Sequence, residues 1–321
     1  MKKGALRSSF LLFLAAFIWG VAFVAQSVGM DYMGPFTFNG IRFLMGSAVL
    51  FPLVYFRRKK DKEKGKKRAG LKITLTGGIC CGLALGTAAL LQQFGIMYTT
   101  VGKAGFITTL YIIIVPVMGI FLGKKAGGKV WIGAALAAFG MYLLCMSEKL
   151  SLSKGDTYVF ICAIIFAVHI LVIDYFSPKA DGVELSCIQF LVAGLISSIL
   201  AFCFEEPTFE SFIAGIIPLA YAGIMSSGVA YTLQIIGQKD MDPTVASLIL
   251  SLESVVSMLA GWIILGQALN GRELAGCGLV FAAVILVQLP DKKFEKRIWF
   301  PWWFRQTFPG QYTIRKKSRR K

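Results

Sequence analysis

Glu253, Arg42 and His169 are ionisable side chains deep inside long apolar stretches of the 321-residue sequence, and a fourth, Asp174, lies nearer the end of its stretch. A charge in hydrocarbon costs on the order of 2.5–3.5 kcal/mol on insertion scales, so each is a candidate functional group. Glu253 could transfer a proton or bind a cation; the alternative is a packed carboxyl with satisfied hydrogen bonds. Arg42 could bind an anionic group or cap helix carbonyls. His169 could relay protons or bond to a neighbouring helix.

Aromatic and polar residues recur at helical spacing in other apolar stretches, as in a site for a small, partly apolar ligand. Packing is the alternative for the aromatic members. Three helical faces are formed by Trp19 with Phe23 and Gln26, by Ser227 with Tyr231 and Gln234, and by Thr108 with Tyr111. The candidate binding residues are Trp19, Phe23, Gln26, Gln92, Thr108, Tyr111, His169, Tyr231, Gln234 and Glu253.

Motifs for catalysis and for metal or nucleotide binding are missing from the sequence. It contains no complete phosphate-binding loop, no G-x-S-x-G and no H-E-x-x-H. No second histidine or acid stands at ligand spacing beside His169, and the seven cysteines form no C-x-x-C pair. We therefore expect no enzyme activity, no metal and no cofactor.

These residues must be positioned by helices that cross a membrane. The sequence is 56% hydrophobic and only 16% charged, with a mean hydropathy of +0.68, more apolar than a soluble domain of this size. Because about 20 apolar residues cross the hydrocarbon core, the sequence predicts an all-α integral membrane protein with ten transmembrane helices. The predicted spans are 9–28, 36–56, 73–95, 104–122, 130–147, 157–176, 184–204, 212–236, 244–265 and 273–289.

The net charge of +17 has an uneven distribution along the chain. With the N-terminus inside, 29 of the 34 basic residues fall in cytoplasmic segments, which predicts both termini in the cytoplasm of a multi-pass cell-membrane protein. The basic runs 57–68 and 315–321 are interpreted as anchors at anionic lipid, with nucleic-acid binding as the alternative. The predicted partners are therefore the lipid bilayer and a small-molecule substrate, not nucleic acid. The sequence allows a homodimer but has no feature that specifies one.

The two halves of the sequence resemble each other. Residues 40–44 (GIRFL) align with 187–191 (CIQFL), Gln92 aligns with Gln234, and Tyr111 with Glu253. Chance similarity between apolar sequences is the alternative. Each half holds five predicted spans, and an odd number inverts the second half relative to the first. The predicted organisation is a cytoplasmic N-terminus (1–8), a first repeat (9–147), an external linker (148–156), a second repeat (157–289) and a basic aromatic cytoplasmic tail (290–321).

Short motifs in both halves resemble those of the drug/metabolite transporter superfamily, specifically its EamA-type members. They include Trp19-Gly20, Arg42-Phe43 and Leu252-Glu253, together with Gly261-Trp262 and Leu265-Gly266. The resemblance covers nearly residues 9–289. It implies two five-helix repeats, with the first, third, fourth, sixth, eighth and ninth helices around the transport pathway and the fifth and tenth at the periphery.

The resemblance and the inverted repeat together predict a secondary transporter of small metabolites, with export of amino acids or related compounds favoured and proton coupling as an option. An uptake permease for metabolites or sugars with the same fold is the main alternative. An integral-membrane enzyme acting on lipids would need acids or histidines grouped at one membrane face, which the sequence lacks. A channel is disfavoured by the repeat.

Overall fold

The computed structural model describes residues 3–64, 70–124, 127–145, 153–239, 241–266 and 270–289. Within these ranges the chain forms helices and short connections and no strand, which confirms the all-helical prediction. The predicted tail 290–321, residues 148–152 of the predicted linker and residues 65–69 of the basic loop lie outside the described ranges.

The helices are listed here with the labels used below. In chain order they are α1 (Lys3–Gly29), α2 (Pro35–Glu63), α3 (Leu71–Ile96), α4 (Val101–Thr109), α5 (Tyr111–Phe121), α6 (Gly128–Cys145), α7 (Lys154–Phe176), α8 (Gly182–Phe204), α9 (Phe209–Ala214), α10 (Ile216–Ala220), a π-helix termed π1 (Tyr221–Tyr231), α11 (Thr232–Gln238), α12 (Pro243–Leu250), α13 (Leu252–Leu265) and α14 (Gly271–Gln288).

Eight of the helical spans in the described part of the chain are long and apolar enough to cross a membrane. Two shorter apolar stretches, Gly128–Gly140 in α6 and Leu274–Val287 in α14, lie at the two remaining positions predicted from the sequence. The membrane-spanning character is therefore confirmed for eight spans.

Two of these spans are interrupted near their middle. The fourth span divides into α4 and α5 at Leu110, and the ninth divides into α12 and α13 at Ser251. The two interrupting residues have almost the same backbone conformation, with φ/ψ of −57/−13° and −61/−14°. Hydroxyl groups bond to carbonyls beside each break: Thr109 Oγ1 donates to the Phe106 carbonyl at 2.9 Å and Ser254 Oγ to the Ser251 carbonyl at 2.8 Å. Such side-chain bonds compete with the helix ladder and bend it.

The eighth span contains an unusual helical segment. Its central residues Tyr221–Tyr231 form π1, between α10 and α11. Within it, Ser227 Oγ donates to the carbonyl of Ala222, five residues earlier, at 2.9 Å. Segments of π-helix are rare, and they are frequent at functional sites. Their wider turn changes which side chains share a face of the helix.

The packing of the spans places α2, α3 and α8 together and α1 close to the second half. α2 packs along α8, and α3 packs against both α7 and α8. α1 packs against α13, π1 and α11. α6 packs mainly against α14, at the side of this group. The result is a central set of helices that encloses buried polar residues, and a separate pair beside it.

Polar contacts join α2 to α8, or to the residue that follows it, at each end of this helix pair. At one end, the Glu205 carboxylate accepts hydrogen bonds from the backbone N–H groups of Phe36 and Thr37, at 2.9 and 2.8 Å. This anion lies at the N-terminus of α2, where the helix dipole and the unpaired N–H groups favour it. At the other end, Arg58 makes a two-pronged contact with Glu184, at 2.9 and 3.0 Å.

Candidate functional site

A pocket lies between the two halves of the chain. It takes seven lining residues from each half. None of the described residues of α6 or α14 contributes, in agreement with the peripheral placement that the resemblance implied. The lining residues are Trp19, Phe23, Gln26, Arg42, Gln92, Thr108, Tyr111, Phe166, Ile170, Ser226, Tyr231, Gln234, Leu250 and Glu253.

The two interrupted spans meet at the pocket through Tyr111 and Glu253. Tyr111 is the first residue of α5, and Glu253 is the second residue of α13, so each follows a helix break directly. Tyr111 Oη donates a hydrogen bond to Glu253 Oε1 at 2.9 Å. Both residues are buried, at 3% and 4% exposure. The sequence alignment pairs these two residues, so the contact joins equivalent positions of the two halves.

Arg42 reaches the pocket from α2 and is 1% exposed. Its guanidinium carbon lies 4.6 Å from the centre of the Phe43 ring and 5.8 Å from that of Phe38, so two aromatic faces hold the cation. Its Nε and Nη2 atoms are buried without a hydrogen-bond partner. Among the described residues, no carboxylate lies within ion-pairing distance of it.

Aromatic rings form one wall of the pocket. The Trp19 and Tyr231 rings are 4.4 Å apart between centroids and tilted by 56°. Trp19 Nε1 donates to the Ser226 carbonyl at 3.3 Å, so a carbonyl within π1 positions the indole. Phe23 and Phe166 extend this apolar surface. The pocket therefore combines a flat aromatic wall with polar groups at other points of its lining, as in sites for partly apolar ligands.

Three amide side chains add hydrogen-bonding groups to the lining. Gln92 Nε2 donates to Thr108 Oγ1 at 3.2 Å. The carbonyl oxygens Oε1 of Gln26 and Gln234 are buried without a partner, and these residues are only 4% and 2% exposed. These two amide oxygens are therefore acceptors in the lining that are not committed to another side chain or to the backbone.

His169 is the one candidate binding residue that does not line the pocket. It lies behind Tyr231, with ring centroids 6.1 Å apart. Its Nε2 is 3.1 Å from Gln189 Oε1, and because an amide oxygen only accepts, Nε2 is the donor. The structure thus places this histidine in a helix–helix contact between α7 and α8, the alternative that the sequence left open.

Sequence spacing also misplaced one serine and missed three lining residues. Ser227 was expected beside Tyr231, but it is fully buried and bonded inside π1, and Ser226 lines the pocket instead. The reason is the π-helical turn, since an α-helical spacing no longer applies there. Phe166, Ile170 and Leu250 are ordinary apolar residues that carry no sequence signal for a site.

No group of three or more His, Cys, Asp or Glu residues in the described part of the chain could hold a metal ion. Acidic residues outside the pocket form single ion pairs near the helix ends, such as Asp156 with Lys103 at 2.6 Å and Asp174 with Lys124. The chemistry of the pocket is therefore that of one carboxyl, one guanidinium, several amides and aromatic rings.

Comparison with known proteins identifies relatives along most of the chain. One is an "Uncharacterized transporter" of Archaeoglobus fulgidus, 30% identical over 279 residues, which cover 87% of this chain and 84% of the relative. Another is a "Probable amino-acid metabolite efflux pump" of Salmonella typhimurium, 25% identical over 302 residues, with 87% and 94% covered. One solved crystal structure has the same fold, with a TM-score of 0.71 at 17% identity and coverage of 88% of this chain and 96% of that one.

The family comparison covers both halves of the sequence. The model of the family described as "EamA-like transporter family" matches residues 6–146 and again residues 153–289, so the chain contains two copies of the family's unit. The resemblance seen in the short motifs is confirmed. The chain belongs to the EamA-like transporter family.

Proposed function

We propose that this protein is a secondary transporter that moves small metabolites across the cell membrane by alternating access, with export of amino acids or related compounds. The observation that carries the proposal is the pocket itself: both halves contribute equally to its lining, and Tyr111 and Glu253 join the halves across it. In an alternating-access transporter the substrate site lies at such a repeat interface, near the middle of the membrane.

The inverted arrangement of two five-helix repeats is part of this proposal, and the packing supports it. In such a repeat, α1 is equivalent to α7, and α3 is equivalent to the eighth span, which contains π1 and α11. The contact of α3 with α7 in one arrangement therefore corresponds to the contact of α1 with π1 and α11. In the same way, the contact of α3 with α8 corresponds to the contact of α2 with π1. All of these contacts are present in the structure. The pairs α2–α8 and α6–α14 exchange into themselves, and each packs closely.

Individual residues support the same symmetry. Phe43 and Phe190, aligned in the two halves, stack with centroids 6.0 Å apart and planes at 7°. Gly123 and Gly266, which follow the fourth and ninth spans, both have positive φ, at 74° and 67°. Left-handed glycines are common helix terminators, and their recurrence at aligned positions is expected of a repeat. If α6 and α14 are the fifth and tenth spans, the fold has ten membrane-spanning segments.

Export of amino acids is favoured by two considerations. The Salmonella typhimurium relative is named a probable amino-acid metabolite efflux pump. The pocket of this chain offers both an acidic and a basic group beside aromatic rings, which suits small molecules that carry charge and apolar surface. Energy would come from the substrate gradient or from protons, and Glu253 is the carboxyl in the pocket that could carry a proton.

Reconstitution of the purified chain tests the proposal. Proteoliposomes preloaded with one unlabelled amino acid, sugar or nucleoside should accumulate the same labelled compound by counterflow, with saturation and with no added nucleotide. Protein-free liposomes are the control. Absence of counterflow for the whole panel, or non-saturable flux through an open pore, would contradict a transporter. Direction is then read in cells, where an exporter lowers and a permease raises the internal concentration of the active compound.

A further inference from the structure

We propose that Arg42 binds the carboxylate of a zwitterionic substrate while the Tyr111–Glu253 pair receives its amino group; this assignment rests on the transport function proposed above. Two oppositely charged side chains of the lining thus recognise opposite charges on one small molecule. The assignment fixes which residues determine specificity and how the substrate is oriented.

Arg42 has the features of an anion-binding residue. It is almost fully buried, and two of its guanidinium nitrogens, Nε and Nη2, have no hydrogen-bond partner. A structural arginine in a membrane normally pairs with an acid or with backbone carbonyls. Here no described carboxylate pairs with it. A carboxylate is the ligand that the planar guanidinium binds best, through two parallel hydrogen bonds.

The guanidinium is also fixed in place. It lies over the Phe43 ring, which in turn stacks on Phe190. This stack crosses from α2 to α8, the closely packed pair that is joined at both ends by polar contacts. A rigid donor loses little freedom on binding, which is what a specificity-determining residue requires.

Glu253 supplies the opposite charge to the same lining. Glu253 accepts the Tyr111 hydroxyl through Oε1, which leaves its second oxygen, Oε2, as an acceptor for an ammonium group. Arg42 is seven residues from the N-terminal end of α2, about 10 Å along the helix, whereas Glu253 follows the break in the ninth span. The unpartnered carbonyls of Gln26 and Gln234 add acceptors that suit an amine.

This combination selects against molecules with a single charge. A plain amine would leave Arg42 buried and unpaired, and a plain carboxylic acid would meet Glu253 without a cation. Sites that present buried polar groups reject analogues that lack the matching group far more strongly than apolar pockets reject a missing methylene. A dianion such as a phosphate ester would be repelled by Glu253 if that carboxyl is ionised.

The experiment compares matched sets of three compounds: leucine, 3-methylbutylamine and 4-methylpentanoate, and phenylalanine, phenethylamine and 3-phenylpropionate. Binding to the purified full-length protein is measured by thermal stabilisation and by inhibition of counterflow. Wild type should bind the amino acid of at least one set more tightly than its amine and its acid. Arg42→Gln should lose about tenfold or more in affinity for that amino acid, while its affinity for the amine is retained or increases because the pocket no longer holds an unpaired cation.

Retained binding of the amine shows that the variant pocket is folded. Arg42→Lys should restore part of the amino-acid affinity, because the charge returns without the planar fork. Arg57→Gln is the matched control, since Arg57 is on the same helix but is half-exposed and pairs with Asp181.

Other outcomes separate this assignment from the transport proposal. Amino-acid binding by Arg42→Gln at wild-type affinity would overturn the assignment, as would counterflow of sugars or nucleosides by a wild-type protein that binds neither amino acid. In both cases transport itself would stand. Absence of counterflow for every compound would overturn the transport proposal and the assignment with it.

Discussion

Glu253 combines burial, a position directly after a helix break and a hydrogen bond to the equivalent residue of the other half. In the transport mechanism proposed above, a proton and a cationic ligand would compete for the same two oxygens of this carboxyl. Because this carboxyl lies at the junction of both halves, a change in its protonation would alter the Tyr111–Glu253 hydrogen bond between them.

Exchange of this carboxyl for an amide tests proton coupling directly. Glu253→Gln keeps the size and can still accept from Tyr111, but it cannot take up or release a proton. We expect transport by the variant to lose its dependence on pH and on an imposed proton gradient, with the protein still folded. Initial rates between pH 5 and pH 9 in proteoliposomes provide the measurement. Glu206→Gln, at an exposed acid, is the matched control; a wild-type pH profile in Glu253→Gln would end the coupling hypothesis.

The aromatic wall and the amides give a second prediction for single residues. Alanine at Trp19, Gln92 or Tyr231 removes a lining group, so each variant should transport at least about tenfold more slowly at low substrate concentration. Expression and the elution profile in detergent should stay near wild type. Alanine at His169, outside the lining, should affect stability more than transport. Normal transport by all three lining variants would contradict the assignment of the pocket.

Most residues of this pocket could be predicted from sequence, for a physical reason. Polar and charged groups are expensive in hydrocarbon, so their mere presence in apolar spans marks Arg42, Gln234 and Glu253. His169 is equally rare, yet a partner on α8 accounts for it, and a sequence does not show which neighbour a helix will have. Phe166 carried no signal because apolar lining and apolar packing use the same residue types.

At the level of helices, the positions of the spans followed from hydropathy, whereas their interruptions did not. Pro116 lies inside α5, which continues through it, while the breaks fall at Leu110 and Ser251. No proline stands at either break. The hydroxyl groups of Thr109 and Ser254 bond to nearby carbonyls there, and many serines and threonines do this within unbroken helices. The two breaks therefore have no distinctive local sequence signal.

The contact between α1 and α13 gives a prediction at this level. A Cβ atom at Gly20 would lie 2.9 Å from the Glu253 carbonyl oxygen and closer still to the Val256 side chain. Gly20→Ala should therefore force the two helices apart, destabilise the protein by about 1–3 kcal/mol and weaken transport. Thermal unfolding in detergent measures the first effect and counterflow the second.

Gly278→Ala is the matched control for that substitution. Gly278 is also inside a helix, but a Cβ there would meet nothing within 4 Å. Alanine favours helix over glycine, so this variant should be neutral or slightly more stable. Equal stability of the two variants would show that the close approach of α1 to α13 does not matter.

For the molecule as a whole, the repeat explains why one sequence can form two faces of a single pocket. The aligned pairs Tyr111–Glu253 and Phe43–Phe190 each bring a residue into contact with its own counterpart, as is expected near the axis of the proposed inverted repeat. The sequence alignment suggested the pairs, but their contact depends on how the halves pack. Differences between counterparts, such as π1 in the eighth span against the regular α3, make the two faces of the pocket chemically distinct.

The distribution of basic residues makes the last prediction, on orientation. If the positive side is cytoplasmic, Lys239 between α11 and α12 faces the cytoplasm, and Glu206 after α8 faces outside. In a Cys203→Ser background, which removes an exposed thiol near Glu206, a membrane-impermeant maleimide should label Glu206→Cys in intact cells. Lys239→Cys should react only after permeabilisation. The Cys203→Ser parent sets the background signal. The reverse pattern would invert the topology and place the N-terminal end of α2, the end nearer Arg42, at the cytoplasmic face.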